Sequence, residues 1–132
     1  MKRAWLEVFT WEMVIAANAA LCQGTGALHR PSSDGHERAR QLWERQHPQA
    51  MWLDEALDLC RQCHRLAPSC NYNGNTFAAI ARQLILELPL EADRAHLIRS
   101  WAGHIVAGTA EAAETEQFRQ FSRSLPDGKK RK

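Results

Sequence analysis

Between Lys2 and Lys129 the sequence holds no lysine. Every basic residue of the body beyond Lys2 is an arginine, the side chain suited to bidentate contacts with carboxylate or phosphate. Catalytic signatures are missing too. There is no H-E-x-x-H, no G-x-S-x-G and no glycine-rich phosphate loop, since Gly24-Thr25-Gly26 alone is too short for one. No stretch alternates apolar and polar residues for long enough to make a convincing strand, which argues against a sheet. No internal repeat is present, which argues against a solenoid. No apolar run is long and uncharged enough to span a bilayer.

What is present suits one helical domain. At 132 residues, with 45% hydrophobic and 24% charged residues, the chain falls in the ordinary globular range. Its net charge is +2, but Lys129, Lys130, Arg131 and Lys132 alone contribute four positive charges. The remainder is therefore mildly acidic, at −2. The reading is a helical domain over residues 1–125 and a flexible basic tail over 126–132. Such a tail can bind phosphates or serve as an address.

The first residues invite comparison with a secretory leader, because Lys2 and Arg3 precede an apolar stretch and Ala17-Asn18-Ala19 has a small-x-small form. Glu7 and Glu12 interrupt that stretch, so a soluble, cytoplasmic protein with reduced thiols is expected.

The pattern predicts an all-α, compact bundle of five to six helices. The first spans about Ala4 to Gln23, is apolar over most of its circumference, and keeps Glu7, Thr10 and Asn18 as a thin polar seam. A helix of that kind is buried in the domain or in a homo-oligomer. The second starts at Asp34, whose spacing to Glu37 suits a capping box, and Pro48 ends it. The third spans about Met51 to Ala67 before Pro68, and residues 70–76 form a turn with Asn73-Gly74 at its tip. The fourth, capped by Asn75 or Thr76, has the cleanest stripe: Phe77, Ile80, Ala81, Leu84, Ile85 and Leu88. The fifth carries Leu97, Ile98, Trp101 and Ile105 and closes at Gly108, and the last spans about Ala110 to Ser124.

Four cysteines are the most conspicuous constellation: Cys22, Cys60, Cys63 and Cys70, with His64 completing Cys60-Arg-Gln-Cys63-His64. Three readings compete. Cys60 and Cys63 lie on the stripe of Leu53, Ala56 and Leu57, where small buried hydrophobes belong. Four thiolates, or three with His64, also suit Zn²⁺ or an iron–sulfur cluster, which would be structural and pin the first helix to the third. C-x2-C-H is in addition the attachment pattern of a c-type haem, with His64 as proximal ligand and His96, His104 or no residue as distal ligand. Redox pairing of Cys63 with Cys70 is a further alternative.

Two other sets bear on function. Arg99 and His104 have an R-x4-H spacing used by some helical ribonucleases, although residues five apart on a helix diverge by about 140°. The five tryptophans are many for this length; Trp5 and Trp101 fit core stripes, whereas Trp11, Trp43 and Trp52 suit a partner surface. Arg38, Arg45, Arg61, Arg65 and Arg82 stand on otherwise polar helix faces. Together these features favour a non-enzymatic accessory subunit that binds a protein or nucleoprotein partner. Nucleic acid would be reached through the arginine faces and the Lys129–Lys132 tail. No cofactor is expected on this reading; a cysteine-ligated metal or haem module and a helical ribonuclease are the alternatives.

Overall fold

The computed structural model describes residues 1–126, and the basic tail expected from residue 126 lies, apart from Pro126, outside the described residues. Six helices follow one another: α1 (Trp11–Thr25), α2 (His36–Gln46), α3 (Leu53–Leu66), α4 (Asn73–Leu86), α5 (Ala92–Ala107) and α6 (Ala112–Ser124). No strand occurs among the described residues; only two isolated bridges, Arg3 with Met51 and Pro31 with Ser69, tie loops together. The chain is an all-α bundle. α3 is its hub, packing against α2, α4, α5 and α6, while α4 lies against α5 and α1. Trp43, Phe77, Phe118, Leu53, Leu57 and Ile98 are fully enclosed at the centre. No helix is long and apolar enough to cross a membrane among the described residues.

Helix boundaries follow local chemistry, and several differ from the expected ones. α1 begins at Trp11, not Ala4. The Thr10 hydroxyl accepts from the Met13 amide at 3.3 Å, satisfying a donor that a helix start leaves orphaned. The preceding residues make a turn instead, which buries Trp5 and Leu6. α1 is also less enclosed than its apolar circumference implies. Trp11, Val14, Asn18 and Cys22 face inward, so one of the four buried positions is the polar Asn18, while Met13 is half exposed. Gly26, at φ 75°, caps its C-terminus in the left-handed conformation, as glycine permits.

The capping box predicted at Asp34 does not form. Gly35 is the N-cap of α2 and receives no side-chain cap. Its amide donates to the Ser32 hydroxyl at 3.2 Å, and that hydroxyl donates to the Ala67 carbonyl at 2.6 Å. The α2 entry is thereby fastened to the end of α3. The residue 70–76 turn is shorter than expected as well. α4 already begins at Asn73, whose side chain grips Ser69 twice, accepting from its amide at 2.9 Å and donating to its carbonyl at 2.8 Å. At the other end of the bundle α6 caps α3. The Ser122 hydroxyl accepts from the Asp54 amide at 2.9 Å and donates to the Asp54 carboxylate at 2.7 Å.

Candidate functional site

The cysteines do not converge. Among the described residues no group of three or more His, Cys, Asp or Glu side chains is placed to hold a metal ion. Cys60 and Cys63 are enclosed in the core, the Cys63 thiol facing the Ala39 carbonyl of α2 at 3.8 Å. Cys22, on α1, faces the Leu28 carbonyl and the Asn18 amide oxygen. Cys70 is exposed on the α3–α4 loop, and the His64 Nδ1–H is spent on the Val106 carbonyl of α5 at 2.9 Å. Cys22 and Cys70 thus lie on other elements than Cys60, Cys63 and His64 of α3, and the ligand sphere expected for zinc or an iron–sulfur cluster is not assembled among the described residues. Their three-residue spacing puts Cys60 and Cys63 on one face of α3, but that face is the core face.

Burial also makes these thiols inert. It pushes the Cys60 thiol well above its ordinary value and Cys63 up to about 12, because an apolar surround disfavours the thiolate. The thiolate is the reactive form. A thiol-specific reagent at pH 8 is therefore expected to modify Cys70 promptly in the native protein and all four cysteines only after denaturation. Rapid native labelling of Cys60 or Cys63, read by peptide mass spectrometry, would contradict this packing.

Two tryptophans assigned to a partner surface are core residues. Trp43 is fully enclosed, its indole N–H donating to the Phe9 carbonyl at 2.8 Å, its ring stacked on His47 and tilted against Phe77. Trp11 packs edge-on against His36. Both become inward positions once α1 starts at Trp11 and α2 turns its Ala39–Trp43 face to the core. Trp52 stays half-buried beneath the Arg123 guanidinium, 4.8 Å from its ring centre.

The arginines are the candidate residues that the fold brings together. Arg38 of α2 and Arg61 and Arg65 of α3 line one groove of about 510 Å³, with Leu42, Gln62 and Leu66 between them. No carboxylate lines it. Arg61 is held by Asp58 at 2.8 Å on its own helix, whereas Arg38 and Arg65 make no ion pair among the described residues. Arg45 is exposed two turns along α2 from Arg38, so the same helix edge continues the positive stripe. The contrast with other arginines is informative. Arg40 is paired with Glu37 and Glu44, Arg119 with Glu116, and Arg123 with Asp54. The Arg40 fork holds the Glu37 carboxyl below its usual range, the mark of a charge already satisfied locally.

Arg99 and His104 point apart. Arg99 lines a second groove, between α4 and α5, with Arg82, His96 and Ser100. His104 turns to α6, where its Nδ1–H donates to the Glu114 carboxylate at 3.0 Å. The pair is not assembled for acid–base chemistry. The α4–α5 groove escaped the sequence reading, although His96 and Arg99 three residues apart on one helix edge were its signal.

Fold and surface thus define a small all-α domain carrying arginine-lined grooves. No known protein family, curated protein or solved structure matches the chain.

Proposed function

We propose that this chain is a non-enzymatic helical interaction subunit that binds a nucleoprotein partner along the α2–α3 groove, through the partner's phosphodiester backbone. The observation that carries the reading is the convergence of Arg38, Arg61 and Arg65 from two helices on one groove lined by no carboxylate. Rigid helices hold the three guanidinium stems, and two of the forks are left without an ion-pair partner among the described residues. A guanidinium fork matches phosphate oxygens two at a time, and charge-assisted bonds of that kind are among the stronger polar contacts. Leu42 and Leu66 add apolar floor, against which a base or sugar can pack.

The reading is tested by fluorescence anisotropy with a labelled oligoribonucleotide, with an acidic peptide as the competing polyanion. The Arg38→Ala/Arg65→Ala double variant is expected to bind the oligoribonucleotide at least about tenfold more weakly. The slope of log affinity against log salt should fall by about 0.7 for each arginine removed. Equal binding by parent and variant, or preference for the acidic peptide, would refute it.

A further inference from the structure

The α4–α5 groove carries a separate inference. Two guanidinium groups, Arg82 and Arg99, stand there with His96 and the Ser100 hydroxyl, and no carboxylate lines the groove. None of these four residues makes a side-chain hydrogen bond or ion pair within the described residues, so their donors are uncommitted. The groove exists because the facing residues are small. Ala78 of α4 and Ala102 and Gly103 of α5 occupy positions where larger side chains would fill the crevice. A Cβ built on Gly103 meets nothing within 4 Å, so the space is open. At about 350 Å³ it falls in the lower part of the range of small-ligand pockets.

We propose that this groove binds the phosphoryl group of a small phosphomonoester. Two fixed positive charges match the dianion that a phosphomonoester carries near neutral pH, and exceed the single charge of one phosphodiester. Arg82 approaches from α4 and Arg99 from α5, so the two forks can engage different oxygens of one tetrahedral group. The Ser100 hydroxyl supplies a neutral donor beside them, and His96 a further ring nitrogen. Apolar Ala78 and Ala102 leave room for the organic part of the ester without choosing it by hydrogen bonding. This site is distinct from the α2–α3 groove, whose arginines come from other helices, and each can fail without the other.

The test is an NMR titration of the isotope-labelled full chain with inorganic phosphate, with glycerol phosphate and with a dinucleotide that lacks a terminal phosphate. The monoester and inorganic phosphate are expected to shift the Arg82 and Arg99 side-chain Nε–H signals and the Ser100 and Gly103 amides, saturating in the low millimolar range. The dinucleotide should move them far less. Arg82→Ala and Arg99→Ala should each weaken the response at least about tenfold, with the rest of the spectrum unchanged. Arg38→Ala should leave it intact. If Arg99→Ala disturbs the fold, the exposed Arg82→Gln variant carries the same test. Shifts that never saturate, that centre on Arg38 and Arg65, or that the dinucleotide reproduces in full would overturn the proposal.

Discussion

Alanine in place of Gly35 is expected to destabilise the fold by about 3 kcal/mol or more, a large effect for one added methyl group. The backbone there is ordinary, at φ −94° and ψ −19°, so alanine fits the torsions. At a site free of contacts the change would stabilise slightly, by removing freedom from the unfolded chain. Gly35 is different because it is buried against the end of α3. A Cβ would lie 1.6 Å from the Leu66 carbonyl oxygen and 2.8 Å from that of Ala67. Both neighbours are backbone, which cannot swing aside as a side chain can. The two strands of chain cannot separate cheaply either. Ser32 donates to Ala67, the Ser32 amide donates to Pro68 at 2.9 Å, and the Cys70 amide donates to Arg30 at 2.9 Å.

Urea denaturation measures the effect. The midpoint should fall with the slope unchanged, because a clash alters stability rather than the surface exposed on unfolding. In a thermal scan the loss corresponds to a drop of about 10 °C or more for a domain of this size. Gly24→Ala is the control. Nothing lies within 4 Å of its Cβ position, so that variant should be neutral or slightly stabilised. Similar midpoints for the two variants would mean that α2 does not enter the fold where this close approach puts it.

Gly35 also marks where the sequence stops being readable. The α4 stripe was legible because it is local: Phe77, Ile80, Ala81, Leu84 and Ile85 follow helical spacing, and all five are buried. Gly108, too, closes its helix as its type predicts. Asp34 offered a capping box of equal local merit, but tertiary contact overrode it, since α2 must start where a residue without a side chain meets α3. The same limit applies to the candidate site. Arg38, Arg61 and Arg65 could be named as arginines on polar faces. Their meeting in one groove depends on how α2 lies across α3, which no spacing within either helix encodes. The cysteines fail in the opposite sense. Their spacing is locally suggestive, but the core face of α3 claims two of them and separate segments claim the others.

Asn18→Asp is expected to cost about 3 kcal/mol or more, although it replaces one nitrogen by an oxygen and leaves the volume almost unchanged. Asn18 sits in the middle of α1 with 1% of its surface exposed. Helical periodicity put it on a polar seam, but it is the point where α1, the loop after it and the start of α4 are joined. Its Nδ2 donates to the Asn71 carbonyl at 2.7 Å and to the Thr76 hydroxyl at 3.1 Å. Its Oδ1 accepts from His29 Nδ1 at 2.9 Å and faces the Cys22 thiol at 3.6 Å. Aspartate would keep the acceptor side and lose both donors. Its second oxygen would oppose the Asn71 carbonyl oxygen where a hydrogen bond now lies, with a buried charge added. Because the Thr76 hydroxyl already donates to the Tyr72 carbonyl at 2.8 Å, it can turn to the new carboxylate only by giving up that bond. The damage should be local before it is global. The loop between α1 and α2 should loosen first, and limited chymotrypsin digestion should cut after the exposed Leu28 far faster than in the parent. Asn18→Ala removes the same donors without adding charge, and should fall between the two in both stability and cleavage rate. An Asn18→Asp protein with parental stability and an uncut Leu28–His29 bond would show that this amide does not join the three segments.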